Sequence, residues 1–267
     1  MFCRTWRWLA VSKAAVESYM DYLQNADREL PALSEILPRH QVNSKDLVEF
    51  HSLLCEVMRD NGFKFMGIKV VPPTAGALQA LRATDAVCMP IFSNAFQNST
   101  LSTKQHRLQY VEPLFVLRLG CDAPSQLTVH SAPAICDVFR PGIEITGSRF
   151  PFYPPNSTGF AADLGGCIAL VLGEETELNK TSLDTLGSHN FVLTRKSEPL
   201  QVGSGKNCLG SPGAAVALAV SYAASIGKPL HTGHYVFCSG VGSRSPTLPG
   251  DYQVNYGVYG SVFFSLT

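Results

Sequence analysis

The chain is short of charge. Asp, Glu, Lys and Arg make up only 16% of its 267 residues, and acids and bases balance at 21 each for a formal net charge of +0. A phosphate backbone is met by clustered Lys and Arg, and no basic block or Arg/aromatic interleaving is present, so nucleic-acid binding is not expected. The eight cysteines (Cys3, Cys55, Cys88, Cys121, Cys136, Cys167, Cys208, Cys238) contain no Cys-x-x-Cys pair. That excludes a zinc knuckle and predicts reduced, mostly buried thiols. No apolar run reaches the about 20 residues a bilayer-spanning helix needs, and the longest, Gly213 to Ile226, is short and Ala-rich, so no membrane is expected. A serine hydrolase lacks its Gly-x-Ser-x-Gly elbow. Gly203-Ser204-Gly205-Lys206 fails as a phosphate loop, because Leu200 replaces the first Gly and Asn207 the Ser or Thr.

Hydrophobic residues are 45% of the chain, enough for a large core, and the sparse charge favours an oligomer that covers apolar surface. Three ionisable residues stand inside the apolar, strand-like runs. Lys69 lies in Gly67-Ile68-Lys69-Val70, Glu112 in Tyr110-Val111-Glu112-Pro113-Leu114-Phe115, and Glu144 in Gly142-Ile143-Glu144-Ile145-Thr146-Gly147-Ser148-Arg149. Desolvation makes a bare charge expensive there, so each requires a partner. Two arrangements meet that requirement: buried ion pairs with a structural role, or a shared site for a metal-bound acidic ligand.

Met1 to Val16 holds Arg4, Arg7 and Lys13 and no acid. A mitochondrial presequence and an ordinary basic terminus share that composition, and a cytoplasmic location is the default expectation. Val16, Tyr19, Met20 and Leu23 share one helical face. After a loop through Pro31 and Pro38, Asn43 or Ser44 caps a second helix with Leu47, Phe50, Leu54, Val57 and Met58 inward, stopping at Asn61-Gly62.

From Phe63 the pattern turns to strands: Phe63 to Val71, Val111 to Leu119, Cys167 to Leu172, Phe191 to Thr194, Tyr235 to Cys238, and a closing strand or hairpin over Tyr252 to Phe264. Thr74 is expected to cap a short helix through Arg82, and Ser211 with Pro212 to start an Ala-rich helix ending at Gly227. Pro151 to Asn156 reads as a rigid loop. Asp122, Asp137 and Asp251 read as turn acids, and His231-Thr232-Gly233-His234 as a turn pair. The fold class is α+β, one structural unit with an N-terminal helical region (1–62) and a mixed β-sheet roll (63–267).

The order of these features resembles the 2-keto-4-pentenoate hydratase and 4-oxalocrotonate decarboxylase family of the fumarylacetoacetate hydrolase superfamily. Leu30-Pro31-Ala32-Leu33-Ser34 is similar to the family's Ile-Pro-Pro-Leu-Ser, and the Lys69 segment to its Gly-Tyr-Lys-Val. Val111-Glu112-Pro113 resembles the start of its Glu-x-Glu segment, and the Glu144 segment its Ala-Ile-Glu-Ile-Val-Asp-Ser-Arg. Leu209-Gly210-Ser211-Pro212 resembles its Leu-Gly-Asn-Pro, and Pro249-Gly250-Asp251 its Pro-Gly-Asp.

The resemblance implies a lyase acting on a small unsaturated 2-oxo or 2-hydroxy acid through a metal-stabilised enolate. Mg2+ or Mn2+ would be held by Glu112 and Glu144, with Lys69 as the catalytic residue stabilising the enolate. Arg149, Asp163 and Ser239 are the implied substrate contacts, Asp163 being readable also as a carboxylate supporting the metal or as a turn acid. The implied assembly is a homo-oligomer, or a complex with a related enzyme.

The departures are concentrated at the same place. Leu114 stands where the middle Glu of Glu-x-Glu belongs. Val87 or Cys88 stands at the acid before the family's Gly-x-Leu-Phe turn, which Met89-Pro90-Ile91-Phe92 matches, with Asp85 slightly displaced. Gly147 replaces the Asp of Asp-Ser-Arg, and Cys238 replaces a hydroxyl residue. Losing one carboxylate of three keeps open a second expectation: a family member with a binding or structural role and no metal.

Overall fold

Leu47, Phe50, Leu54, Val57 and Met58 recur at helical spacing and form the buried stripe of α1 (Ser44–Asp60) in the computed structural model. The structure describes residues 13, 16, 17, 20, 44–97, 100–102, 108–147, 156–178 and 183–267. Val16 and Met20 are helical and buried, as their spacing predicts. Tyr19, Leu23, the Pro31 to Pro38 loop, Arg4 and Arg7 lie outside the described residues. α1 ends at Gly62, whose φ of +84° suits a residue without Cβ and whose N–H donates to Arg59 O.

There follow β1 (Phe65–Val71), α2 (Gly76–Ala80), β2 (Val87–Phe92), β3 (Thr100–Leu101), β4 (Leu108–Leu119), β5 (Cys136–Gly147) and α3 (Ser157–Ala162). The remainder is β6 (Cys167–Leu172), β7 (Thr176–Glu177), α4 (Leu183–Ser188), β8 (Asn190–Arg195), β9 (Glu198–Ser204), α5 (Pro212–Ser225), β10 (Tyr235–Cys238), β11 (Ser245–Pro246), β12 (Gly250–Asn255) and β13 (Ser261–Leu266). The larger sheet runs β2-β1-β10-β4-β5-β6, with β11 also on β4 and β7 on β5; the smaller runs β3-β13-β12-β8-β9. β1 and β10 are parallel while their neighbours are antiparallel, which makes the larger sheet mixed. The architecture is the α+β roll read from the sequence.

The main core lies between the sheets and α5. Ser211 caps α5 by accepting from Gly213 N at 3.1 Å, Pro212 takes the first turn, and Ala215, Val216, Ala219, Val220 and Ala223 are buried. Phe115, Phe139, Phe191 and Tyr256 join the two sheets, with the Phe115 and Phe139 rings 4.6 Å apart. A second apolar cluster of Ile91, Leu114, Val116, Cys167, Leu170, Tyr235 and Phe237 covers the opposite face of the larger sheet. Burial on both faces explains why these strands read as continuous apolar runs.

Four local expectations are corrected. Thr74 does not cap the short helix: Ala75 holds the N-cap position without a side-chain bond, and its N–H closes a turn onto Pro72 O. Met89 to Phe92 is no turn but most of β2. Pro90 is tolerated there because β2 is the edge strand of its sheet, where a missing N–H costs no ladder bond. Asp137 is a strand residue that accepts both Nε and Nη2 of Arg118, at 3.1 and 2.9 Å. Asp251 lies on β12 and accepts from Ser265 Oγ at 2.6 Å. The expected turn at His231 to His234 is present, with His234 N donating to His231 O at 3.0 Å. No helix among the described residues is long and apolar enough to cross a membrane.

Candidate functional site

Period-two alternation along β4 places Tyr110, Glu112, Leu114 and Val116 on one face. The antiparallel register with β5 sets Glu112 opposite Glu144, Tyr110 opposite Thr146, and Leu114 opposite Gly142. Lys69 comes from β1, where it pairs with Phe237 and Met89 on the flanking strands. Its ammonium donates to Glu144 Oε1 at 2.5 Å, and both side chains are at most 2% exposed. Three residues distant in sequence therefore meet in one buried cluster.

Glu112 is held from the other side. β11 pairs with β4 at Ser245 to Val111 and Pro246 to Tyr110, which brings the preceding residue, Arg244, level with Glu112. Arg244 Nε donates to Glu112 Oε1 at 3.0 Å. Its guanidinium carbon lies 4.5 Å from the Tyr110 ring centre, a cation–π contact that fixes the plane of the group. Thr146 Oγ1 donates to the same Glu112 oxygen at 3.2 Å. Across β11, β4 and β5 the order is thus cation, carboxylate, carboxylate, and Lys69 supplies the second cation from β1.

The electrostatics follow from burial. Desolvation pushes the Glu144 carboxyl above the usual carboxylate range; the adjacent Lys69 opposes that shift, and Glu112 reinforces it. Burial alone would lower the Lys69 ammonium. Glu144, Cys167 and Glu112 together outweigh it, so the amine is held protonated more firmly than a free lysine. Glu144 Oε2 is buried with no hydrogen-bond partner among the described residues.

A strained loop closes over the pair. Leu164, Gly165 and Gly166 have φ of 51°, 66° and 69° in succession. A Cβ on Gly165 would lie 2.9 Å from Lys69 Nζ and 2.8 Å from Met89 Sδ, and one on Gly166 would lie 2.2 Å from Gly147 O. Only residues without Cβ let this backbone approach the ammonium so closely.

Of the other expected site residues, Asp163 is buried at the C-cap of α3, immediately before that loop. Ser239 is buried just past β10, where its N–H donates to Val70 O at 3.0 Å. Arg149 lies outside the described residues. Arg244 was not expected. It precedes a strand of two residues, too short for any periodicity to register.

The cluster is a poor fit for a hard divalent cation. Such ions prefer six oxygen donors in near-octahedral order, with carboxylates to balance their charge. Among the described residues no three His, Cys, Asp or Glu side chains gather to hold a metal. Leu114, on the same face of β4 as Glu112, is fully buried and offers no oxygen, and Glu112 and Glu144 are each already paired with a cation.

The chain is 66% identical over 267 residues, the whole of both proteins, to REH2-associated factor 2 of Trypanosoma brucei brucei. It is 30% identical over 146 residues to 2-keto-4-pentenoate hydratase of Paraburkholderia xenovorans, a match spanning 54% of each chain. Its fold superposes on 4-oxalocrotonate decarboxylase from Pseudomonas putida G7, complexed with magnesium and adipate, with a TM-score of 0.80 at 18% identity over 96% of this chain and 98% of that one. These matches support the resemblance to the hydratase/decarboxylase family of the fumarylacetoacetate hydrolase superfamily. No family model matches it. The likeness to the family's hydratase spans about half that enzyme's length, whereas the likeness to the trypanosome factor is complete.

Proposed function

We propose that this family member works as a subunit of a protein assembly, its ancestral metal centre replaced by two internal ion pairs. The observation that carries the reading is the state of the carboxylates. Glu112 is bound by Arg244, Glu144 is bound by Lys69, and the third position is Leu114. A cluster satisfied in this way stabilises the sheet without needing an ion. The relative that matches the full chain carries the name of an associated factor, which supports a partner-binding role. Association with the REH2 counterpart and a homo-oligomer are the partners this reading favours.

A second reading is supported by the Lys69–Glu144 pair. It is a lyase of the hydratase or decarboxylase type, dependent on Mg2+ or Mn2+, for a small unsaturated 2-oxo or 2-hydroxy acid. A protonated amine held beside a buried carboxylate suits electrostatic stabilisation of a developing enolate, and Lys69 is its candidate catalytic residue. Two measurements on the purified chain separate the readings. One follows the ultraviolet absorbance of 2-hydroxypenta-2,4-dienoate with and without Mg2+. The other follows binding to the REH2 counterpart by analytical ultracentrifugation. The subunit reading expects an unchanged absorbance and a stable complex; Mg2+-dependent turnover with no complex would establish the lyase.

A further inference from the structure

We propose that Arg244 is the resident cation of this centre, and that Arg244 and Leu114 together replace a divalent ion. The inference rests on the reading that the metal centre has been converted. Three carboxylates and one ammonium carry a net charge of −2, which a doubly charged ion neutralises. Here the two ion pairs, Glu112 with Arg244 and Glu144 with Lys69, sum to zero with no ion present. Substituting Leu114 for a carboxylate removes one negative charge, and seating Arg244 adds one positive charge. The two changes amount to the charge of the ion.

The placement of Arg244 is built rather than incidental. β11 pairs with β4 for two residues, and that pairing sets Arg244 beside Glu112. The guanidinium is held by the Glu112 carboxylate at 3.0 Å and by the Tyr110 ring face at 4.5 Å, with its side chain only 15% exposed. A divalent ion drawn to Glu112 and Glu144 would meet two fixed cations at close range in a medium that screens poorly, so repulsion opposes it. The same argument determines what restores binding. Leu114→Glu alone gives the cluster a net charge of −1 and leaves Arg244 able to pair with the new carboxylate. Removing Arg244 alone also gives −1 and leaves two ligands. Only both changes together give −2 and three carboxylates.

The test is Mn2+ binding, read from the loss of the free-ion electron paramagnetic resonance signal. It is run on the parent, Leu114→Glu, Arg244→Ala, and the double variants Leu114→Glu/Arg244→Ala and Leu114→Glu/Arg244→Gln. The glutamine retains a donor to Glu112, so one double variant remains folded, as far-ultraviolet circular dichroism checks, if the alanine version does not. We expect no binding by the parent, and binding by a folded double variant at least about 10- to 100-fold tighter than by either single variant. Equal binding by Leu114→Glu and the double variant would overturn the role of Arg244, as would a folded double variant that binds no Mn2+. Binding by the parent would instead remove the reading of a converted centre on which the inference stands.

Discussion

Glu112 and Glu144 face each other across the β4–β5 ladder, and each takes its counter-charge from a different strand, Arg244 before β11 and Lys69 on β1. Two like charges directly opposite on a sheet are destabilising by themselves. Their persistence requires both cations, so four strands that are distant in the chain are tied at one point. The cluster therefore ties the roll together whatever else it does.

Removing one member of the buried pair should cost more than removing both. Lys69→Met leaves the Glu144 carboxylate without its cation, and the expected loss is about 3–5 kcal/mol. Lys69→Met/Glu144→Leu replaces two charges with apolar volume beside Phe237 and Leu170, and its loss should be smaller than that of Lys69→Met alone. Urea unfolding of the parent, both single variants and the double variant measures the coupling. If the double variant loses the sum of the two single losses, the pair is not an isolated unit.

Lys69, Glu112 and Glu144 were legible because each is an ionisable residue interrupting an apolar strand run, and burial demands a partner for each. The fold was legible for the same reason: long apolar strands and an Ala-rich, well-capped α5 leave few arrangements, and the family resemblance selects one. What sequence reasoning missed were contacts made by irregular or very short segments. Arg244 sits in Gly242-Ser243-Arg244-Ser245-Pro246, which has no period to read. Asp251 was misread because Pro249-Gly250 before it suggested a turn, and Asp137, which has neither Gly nor Pro beside it, lies on β5 and pairs with Arg118. His51 was overlooked although its spacing from Leu47 and Leu54 puts it on the buried stripe of α1.

Gly165→Ala should destabilise the chain through two effects at one position. Its φ of 66° is costly for a residue with Cβ, and the added methyl would press on Lys69 Nζ. The expected cost is about 1–3 kcal/mol, since the ammonium cannot retreat without giving up Glu144. A matched Gly210→Ala variant separates the two effects, because Gly210 has a φ of 76° and a methyl added there would meet nothing within 4 Å. Thermal unfolding should place Gly165→Ala clearly below Gly210→Ala; equal melting temperatures would mean that the loop yields freely over Lys69.

Acid should weaken the fold through His51, which joins α1 to α5. Its Nε2 faces Ala161 O at 3.0 Å, an acceptor only, so Nε2 carries the proton and Nδ1 accepts from Tyr222 Oη at 2.6 Å. Burial keeps the Tyr222 phenol protonated well above its ordinary range, which preserves that donor. Burial also lowers His51 to about 4, partly offset by the bond to Ala161. The folded state thus holds a neutral imidazole, and the unfolded chain takes up a proton near the ordinary value of about 6.5. A lowered folded value gives stability that is complete above about pH 6.5 and is lost as pH falls from there to about 4, by about 3 kcal/mol in all. Urea unfolding at half-unit steps from pH 7.5 to 5 should show the parent weakening by about 1.4 kcal/mol per pH unit toward the acid end. His51→Gln, less stable at neutral pH, should lack that slope, and parallel curves for the two proteins would show that His51 is not the group that titrates.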